Sequence, residues 1–339
     1  MPPLLRVCIS EASDPFLNLA IENHLFRAIQ PGMRTLLLWR NDPSVVIGRH
    51  QNPWVECDLP SMTRDGVHLV RRQSGGGAVY HDPGNGNFSF LASGELYDQD
   101  VHFAIVIDAL ARLGIEAERS PRNDILVDGR KISGNAFKHT RDRSFHHGTL
   151  LIDADLRRLT AYLAPREAGL VSKGIKSVRS RVANLTEFVP GLDFETLVSA
   201  LAEAFARYHH ESVPVERVGV DTRDAHPEVA RYREELQSWD WRYGNTPEFT
   251  QRIDGSFDAE TVSIECTVRH AVIEDLAVRI VPENRETRER AKRVETLLVG
   301  ARYDGDEILR RAERSAAGAS PDTDEVVREI IHWFAREAR

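Results

Sequence analysis

RRQSGGGAVYHDPGNGNFSF, residues Arg71–Phe90, decides the fold because three glycines join two apolar, strand-like runs. Val67–Arg72 leads into the glycines and Asn87–Leu91 leads out of them, which predicts two strands connected by a glycine loop. Gly75–Gly77 lack Cβ atoms, so their backbone can adopt positive φ angles and approach a ligand closely. Because successive N–H groups in such a turn form a nest for an anion, the stretch predicts an anion-binding loop.

The charges beside the glycines support this interpretation. Alternation along a strand directs Arg71 and Arg72 to opposite faces, so that one can reach a phosphate while the other packs or pairs elsewhere. The alternative is a glycine-rich hairpin with solvated arginines. No Gly-Lys-Ser/Thr follows, which excludes a Walker A loop, and Tyr80 occupies the third-glycine position of a dinucleotide fingerprint.

The composition is that of a globular protein. The chain has 339 residues and a net charge of −8, which leaves room for a second domain and argues against a general nucleic-acid binder. Cys8, Cys57 and Cys266 are far apart and form no CxxC pair, which fits a reducing compartment. No signal peptide and no run of about 20 apolar residues is found, so we expect a cytoplasmic protein that binds neither nucleic acid nor membrane.

Short strands and helices alternate over the first two-thirds of the chain. Ser13 is the predicted N-cap of the first helix, with Pro15 in its first turn. Asp128-Gly129 predicts a type I′ turn in a hairpin at 123–134. Further strands are predicted at Leu4–Ile9, Thr35–Trp39, Ser44–Gly48 and Phe145–Asp153, and further helices at Val101–Leu113, Arg285–Val299, Asp306–Arg314 and Asp324–Ala338.

An aromatic stretch followed by Gly and Pro, Trp239–Thr250, predicts a domain junction. Beyond it, alternating apolar residues predict two half-buried strands at Val262–Val268 and Leu276–Ile280. We therefore divide the chain into a main domain at 1–243, a linker at 244–252 and a small α+β domain at 253–339.

Lys131 follows the predicted hairpin turn and is placed to point into a site from a rigid strand. The alternative is an exposed strand lysine, which is common. Asn123 and Asp124 lie on the opposing arm and can bring a carboxylate near Lys131, to serve a metal ion or a hydroxyl.

Histidine and cysteine patterns disfavour metal and covalent catalysis. His146 and His147 are adjacent in a predicted strand, so they face opposite ways, and no third ligand follows at a suitable spacing for zinc. We predict a histidine packed under the site rather than a catalytic base. No Ser-His-Asp or Cys-His order is evident, and no cysteine lies within the motif block Arg71–Asn184.

A basic cluster stands out in this acidic chain. It predicts either a solvated face or a docking patch for an acidic partner or for phosphates. Its members are Lys173, Lys176, Arg179 and Arg181.

Four segments together resemble the bacterial lipoate–protein ligase A family: RRQSGGGAVYHDPGNGN, RNDILVDGRKISGNAFK, FHHGTLLIDADLRRLTAYLAP and KGIKSVRSRVANLTE. The similarity runs from SDPFLNLAIE near the start to the region after WDWRYGNTPEF. The resemblance implies an α+β fold like that of biotin–protein ligases and class II synthetases, a mixed sheet with flanking helices. It also implies a small α+β C-terminal domain.

The resemblance implies an ATP-dependent ligase that activates lipoate with Mg-ATP to lipoyl-AMP and releases pyrophosphate. The lipoyl group then passes to a lysine of an acceptor, a lipoyl domain of a 2-oxoacid dehydrogenase or the glycine-cleavage H-protein. Octanoate is an alternative substrate. Two other classes stay open: a lipoyl or octanoyl transferase that lacks the ATP-dependent step, and a binding module that retains the fold.

The resemblance also implies roles for individual residues. Lys131 is the expected catalytic residue, which reaches the lipoyl carbonyl and the α-phosphate, and His147 is expected to contact lipoate. Mg²⁺ is expected to come with ATP rather than to be held by a protein cluster, with support from Asn123 and Asp124. The expected nucleotide contacts are Arg72, Gly75, Gly76, Gly77, Ala78, Val79, Tyr80 and Lys131.

The sequence shows no Ser-His-Asp or Cys-His order, and this agrees with the chemistry of adenylation. The nucleophile of adenylation is a carboxylate, already an anion, so no general base is required. Two anions must instead be brought together in a highly charged transition state, for which cations and preorganised N–H donors are suitable.

Overall fold

The computed structural model describes residues 4–164, 169–178, 180–257, 260–315 and 321–338. The chain forms two compact units whose segments alternate along the sequence. The large unit comprises Met1–Arg49, Met62–Leu163 and Ser177–Ser238, and the small unit comprises His50–Ser61, Ala164–Lys176 and Trp239–Arg339. The division of the chain at 243 and 252 stays a prediction.

The described residues contain both strands and helices. The strands are β1 (Leu5–Ser10), β2 (Arg34–Arg40), β3 (Ser44–Ile47), β4 (His68–Arg71), β5 (Val79–His81), β6 (Asn85–Ser93), β7 (Glu118–Arg119), β8 (Ile125–Val127), β9 (Arg130–Ser133), β10 (Asn135–His139), β11 (Arg143–Leu151), β12 (Leu170–Ser172), β13 (Val215–Val218), β14 (Phe249–Phe257), β15 (Glu260–Arg269) and β16 (Val272–Val281). The helices are α1 (Pro15–Ala28), α2 (Pro53–Glu56), α3 (Leu59–Arg64), α4 (Gln99–Arg112), α5 (Leu156–Tyr162), α6 (Phe194–His209), α7 (Val220–Ala225), α8 (Pro227–Gln237), α9 (Arg285–Leu298), α10 (Gly305–Ser315) and α11 (Pro321–Glu337). None of these helices has the length and apolar character needed to cross a membrane.

A six-stranded mixed sheet forms the centre of the large unit, in the order β10-β11-β6-β2-β1-β13. β1 pairs parallel with β2 and β13, whereas the other neighbours pair antiparallel. Apolar side chains of this sheet and of α4 and α6 share one core, which includes Phe88, Phe90, Val106 and Leu201. The predicted mixed sheet with flanking helices is confirmed.

Two three-stranded sheets of the large unit carry the glycine loop and Lys131. The glycine loop joins β4 to β5 in the sheet β4-β3-β5, and Lys131 lies on β9 in the antiparallel sheet β7-β8-β9. Asp128 and Gly129, between β8 and β9, have φ angles of 50° and 68°. Both angles are positive, as the predicted type I′ turn requires.

The N-cap of α1 differs from the prediction. Asp14, not Ser13, caps the helix, because its carboxylate accepts hydrogen bonds from the amides of Phe16 and Leu17. The Ser13 hydroxyl instead donates to Asp42 at 2.7 Å. Both residue types are good N-caps, so the local sequence does not distinguish them.

The small unit is built on an antiparallel sheet in the order β12-β14-β15-β16. The two predicted strands are β15 and β16, and the three predicted helices are α9, α10 and α11. β14 is absent from the sequence-based predictions because its start overlaps the stretch interpreted as a junction.

An aromatic cluster of the small unit explains why His50–Ser61 belongs to it. The Trp54 ring lies between 5.1 and 5.5 Å from the rings of Tyr243, Phe249 and Tyr303. Trp54 is buried, so this short segment contributes a large apolar side chain to the core of the small unit.

Candidate active site

Glycines allow the close packing around the loop between β4 and β5. Gly76 has a φ of +87°, a left-handed conformation that glycine adopts without strain. A Cβ on Gly48, which follows β3, would overlap the Gly76 carbonyl oxygen. The Arg49 amide also donates to the Ser74 carbonyl at 2.8 Å. The loop is therefore fixed to the end of β3, while residues 75–79 keep exposed surface.

The Arg72 side chain holds the loop in this shape. Its guanidinium donates to the carbonyls of Gly75 at 2.6 Å, Gly77 at 2.7 Å and Val46 at 2.9 Å. Burial lowers the pKa of Arg72 to about 10, against the opposing effect of the Glu22 carboxylate. The side chain stays cationic at neutral pH, and its charge compensates three backbone dipoles.

Neither arginine of the motif is solvated. Arg71 is fully buried and donates to the carbonyls of Gly48 and Arg49, and Arg72 is only 5% exposed. The alternative of a hairpin with solvated arginines is therefore wrong. Because backbone carbonyls take the hydrogen bonds of Arg72 in this structure, a direct contact between Arg72 and the nucleotide stays a prediction.

Ser177 contacts the glycine loop. The Ala78 amide donates to the Ser177 hydroxyl at 2.9 Å, and a Cβ on Gly77 would lie 3.2 Å from that oxygen. The pairing joins residues 99 positions apart, so no local pattern in the sequence indicated it. Ser177 is thus a site residue that sequence reasoning missed.

Arg181 and Ala183, further along the chain, contact the strand of Lys131. The Lys131 amide donates to the Arg181 carbonyl at 2.8 Å, and the Lys131 carbonyl accepts from the Ala183 amide at 3.0 Å. Ser177 therefore lies at the glycine loop, and Arg181 and Ala183 lie beside β9.

The start of β10 also lies close to both the glycine loop and Lys131. A Cβ on Gly76 would lie 3.7 Å from the Ala136 Cβ, and a Cβ on Gly134 would lie 3.2 Å from the Lys131 Nζ. Gly134 immediately precedes β10 and Ala136 is its second residue. The structure thus brings the glycine loop and Lys131 to the same end of β10.

The structure brings Asp124, but not the Asn123 side chain, to Lys131. The Lys131 Nζ lies 2.7 Å from the Asp124 Oδ1, and the two side chains are 24% and 19% exposed. The Asn123 Oδ1 accepts from Arg119 at 2.7 Å and from Gln99 at 3.2 Å. The predicted role of Asn123 and Asp124 in binding a metal ion or the adenylate stays a prediction. Asp124 is the better placed of these two residues, because it lies next to Lys131.

His147 belongs to a buried chain of hydrogen bonds that the sequence did not reveal. Its Nε2 lies 2.7 Å from the Ser74 hydroxyl and its Nδ1 lies 2.8 Å from the Glu22 carboxylate. The Ser89 hydroxyl donates to the same Glu22 oxygen at 2.6 Å, and Arg72 donates to the Ser74 hydroxyl at 3.0 Å. We call Glu22, His147 and Ser74 the relay.

The relay has the order of a Ser–His–Glu triad, yet it supports the loop rather than an attack on substrate. Ser74 is 1% exposed, and its hydroxyl is already held by Arg72 and His147. Burial alone would raise the pKa of Glu22, but the His147 ring and the Ser89 hydroxyl outweigh it and hold that pKa below its usual value. The histidine is packed within the site, as predicted, and its contact with lipoate stays a prediction.

His146 faces the opposite side of β11, as strand alternation predicts. Its Nε2 lies 2.8 Å from the Asn135 Oδ1, and its ring packs 4.7 Å from Phe137 and 5.4 Å from Phe88. Burial lowers the pKa of His146 well below its usual range, so the ring is neutral. The two adjacent histidines therefore cannot share one metal ion.

The other residues predicted to contact the nucleotide differ in solvent exposure. Tyr80 is 1% exposed and its ring packs 5.6 Å from that of Tyr162, so the ring is not available to a ligand in this conformation. Ala78 and Val79 are partly exposed. The loop therefore offers its backbone rather than the Tyr80 side chain.

The described members of the basic cluster are divided between the two units. Lys173 and Lys176 belong to the small unit and Arg181 to the large unit, whereas Arg179 lies outside the described residues. The Lys173 ammonium pairs with Glu248 at 2.7 Å. A docking role for the cluster stays a prediction.

Residues 14–206 match the family model described as the Lipoyl protein ligase A/B catalytic domain. The fold and the site thus define the catalytic domain of a lipoyl ligase. A curated relative, Lipoate-protein ligase A of Psychrobacter cryohalolentis, is 48% identical over 279 residues, which are 81% of this chain and 82% of the relative. The chain belongs to the lipoate–protein ligase A family.

Solved structures with the same fold include three lipoate ligases. P. falciparum LipL1 in complex with lipoate has a TM-score of 0.64 and 29% identity, covering 98% of this chain and 99% of that one. A lipoate-protein ligase A bound with ATP has a TM-score of 0.59 and 27% identity, covering 71% and 98%. The bipartite lipoate protein ligase of Thermoplasma acidophilum, described with its E2 lipoyl domain, has a TM-score of 0.58 and 28% identity, covering 70% and 95%. The predicted lipoate-ligase fold is confirmed.

Proposed function

We propose that this chain is an ATP-dependent lipoate–protein ligase that forms lipoyl-AMP and then transfers the lipoyl group to an acceptor lysine. The observation that carries the proposal is the position of the glycine loop and Lys131 at the same end of β10. Relatives of the family that bind lipoate and ATP support the choice of substrates.

Each part of the site has a proposed task. The amides of the partly exposed residues 75–78 hold phosphate oxygens, because backbone N–H groups in a glycine turn form an anion nest, and the Ala78 amide exchanges its bond to Ser177 for one of them. Arg72 keeps that nest in shape through its bonds to the Gly75 and Gly77 carbonyls. Lys131 provides the cation that neutralises the reacting groups, and Asp124 holds its ammonium in place.

The chemistry has two steps, and the substrates supply both nucleophiles. In the first, a lipoate carboxylate oxygen attacks the α-phosphorus, a P–O bond forms, and pyrophosphate leaves. In the second, the neutral acceptor amine attacks the carbonyl of the mixed anhydride, the C–O bond to the phosphate breaks, an amide forms, AMP leaves, and the proton of the amine passes to solvent. Lys131 stabilises negative charge on the carbonyl oxygen and on the α-phosphate in both steps.

The residues present fit a magnesium ion that comes with ATP. Mg²⁺ is usually held by one or two carboxylates together with substrate phosphates, and Asp124 is a partly exposed carboxylate next to Lys131. Bound there, the ion would neutralise phosphate charge.

We propose that lipoate binds next to the relay, with His147 as a contact. His147 and Ser74 connect the region to the glycine loop through Arg72. A carboxylate placed there would lie close to the phosphates held by the loop. Octanoate, which has the same carboxylate and a similar chain length, is an alternative substrate.

The proposed acceptors are lipoyl domains of 2-oxoacid dehydrogenase complexes and the glycine-cleavage H-protein. The T. acidophilum ligase, described with its E2 lipoyl domain, supports the first class. We also propose a cytoplasmic location, because all three cysteines are free and buried, which fits a reducing compartment.

The decisive experiment uses the purified full-length protein with ATP, Mg²⁺ and lipoate, without an acceptor. We expect pyrophosphate release and a product with the mass of lipoyl-AMP. Addition of an apo lipoyl domain or apo H-protein is then expected to add one lipoyl group to the acceptor, detected by mass spectrometry.

The transferase alternative predicts a different result. Octanoyl transfer from an acyl carrier protein without ATP, combined with no pyrophosphate release, would overturn the ligase proposal. The binding-module alternative predicts neither product, with lipoate binding retained in calorimetry.

A further inference from the structure

Helices α1 and α8 of the large unit pack against each other and are linked at several points. Arg233 of α8 donates to Asp14 at the start of α1, with 2.6 Å between Nη2 and Oδ2. The Arg27 guanidinium lies 5.0 Å from the centre of the Tyr232 ring. Ile21 of α1 and Val229 of α8 are fully buried. Side chains mounted on these two helices are therefore held at a defined separation.

Three potential metal donors meet at one end of this helix pair. His24 comes from α1, Glu228 from the first turn of α8, and His226 from the residue that precedes α8. The Glu228 Oε1 lies 3.0 Å from the His24 Nδ1 and 3.7 Å from the His226 Nδ1. One donor atom from each residue lies within 4.8 Å of the other two.

His226 occupies a position where its residue type is unusual. It is the N-cap of α8, where Ser, Thr, Asp and Asn are preferred because they accept hydrogen bonds from the first amides. The His226 side chain makes no such bond. Its ring instead packs 4.4 Å from the His24 ring, at 37°. This departure from a local rule, with the ring directed to another histidine and a carboxylate, points to a ligand shared by the three side chains.

The distances suit a small tetrahedral ion. Bonds of about 2.0–2.2 Å place neighbouring donors of a zinc site roughly 3.3 Å apart. The donor atoms lie within 4.8 Å of one another, so their separations must shrink by at most roughly 1.5 Å. The His226 and Glu228 side chains are 46% and 38% exposed and can rotate to do so, while His24, at 15%, is the fixed member.

We propose that His24, His226 and Glu228 form a Zn²⁺ site that joins α1 to α8, with water as the fourth ligand. Two histidines and one carboxylate match zinc, whereas Mg²⁺ and Ca²⁺ require oxygen ligands. Arg6, whose positive charge acts on His24, pairs with Glu216 at 3.3 Å, which compensates its charge. The proposal concerns a site apart from the glycine loop and does not rest on the proposed function.

The test is titration of the chelator-treated full-length protein with ZnCl₂ by calorimetry, together with thermal unfolding. We expect one tight site and a rise in Tm of about 3 °C at saturating Zn²⁺, with no rise at the same concentration of Mg²⁺. His226→Ala and Glu228→Gln are each expected to weaken Zn²⁺ binding at least tenfold and to remove the rise in Tm.

His332→Ala is the matched control, because it removes an exposed histidine from α11 in the small unit. It is expected to keep wild-type Zn²⁺ affinity. The proposal is overturned if the wild type shows no tight site, or if His226→Ala and Glu228→Gln bind Zn²⁺ as tightly as the wild type. Circular dichroism of each variant establishes that a loss of binding is not a loss of fold.

Discussion

The glycine loop and the β8–β9 hairpin each carry one of the two predicted cations of the site, but they use them differently. Arg72 is almost completely buried, and its guanidinium is occupied by three backbone carbonyls and the Ser74 hydroxyl. Lys131 keeps a quarter of its side chain exposed and pairs with one carboxylate. A cation bound to the backbone shapes a site, whereas a cation with one ionic partner is available to exchange that partner for a substrate.

The largest expected effect on activity is that of replacing Lys131 of the β8–β9 hairpin. Lys131→Ala is expected to lower the rate of lipoyl-AMP formation about a thousandfold, because it removes the cation proposed to face the reacting groups. Tm is expected to change by less than about 2 °C, since the side chain is partly exposed. Pyrophosphate release and thermal unfolding measure the two quantities.

Arg130→Ala is the matched control, because Arg130 is the preceding residue and its pair with Glu187 is exposed. Activity within about twofold of wild type is expected. Full activity of Lys131→Ala would contradict the proposal that Lys131, unlike Arg72, acts directly on the substrates.

A second prediction tests whether close packing fixes the loop. Gly48→Ala is expected to cost about 2–3 kcal/mol in the free energy of unfolding, because its Cβ would overlap the Gly76 carbonyl oxygen. Gly75→Ala is the matched variant, since its Cβ would meet no atom within 4 Å, and it is expected to cost less than about 0.5 kcal/mol. Urea unfolding compares them; equal costs would contradict the packing argument.

The third prediction concerns the loop cation itself. Arg72→Lys is expected to lower the free energy of unfolding by about 2 kcal/mol, because a lysine cannot reach both loop carbonyls with a planar fork. The KM for ATP is expected to rise about tenfold as the nest loosens. If the stability is unchanged while KM rises, Arg72 acts on the nucleotide directly rather than through the loop.

The smallest effect is expected at the partner of Lys131. Asp124→Asn keeps the size of the side chain but removes its charge, so kcat is expected to fall about fivefold as the ammonium loses its position. Asp128→Asn, the same change in the turn of the same hairpin, is expected to leave kcat unaltered because that residue is exposed. A higher Mg²⁺ requirement in Asp124→Asn alone would support the proposed contact with the metal.

Local features of the site could be predicted from the sequence because they depend on neighbouring residues. The hairpin that carries Lys131 follows from Asp128-Gly129, and Asp124 lies on its other arm within reach of Nζ. The opposite orientation of His146 and His147 follows from strand alternation.

Long-range features could not be predicted in this way. The contact between Glu22 and His147 joins residues 125 positions apart, and its existence depends on how α1 packs on the sheet. The role of Arg72 depends on β3, which buries the guanidinium and supplies the Val46 carbonyl. No rule of residue spacing predicts the Glu22–His147 contact or the burial of Arg72 by β3, because both depend on the tertiary structure.

The Ser177 hydroxyl has a consequence for the energetics of nucleotide entry. It accepts the hydrogen bond of the Ala78 amide, one of the donors proposed to hold phosphate. A phosphate that takes this donor must displace the hydroxyl, so one hydrogen bond is exchanged for another and only the difference between them contributes to affinity. The Ser177 hydroxyl thus occupies the position proposed for a phosphate oxygen. It keeps the Ala78 N–H group hydrogen-bonded when no phosphate is bound.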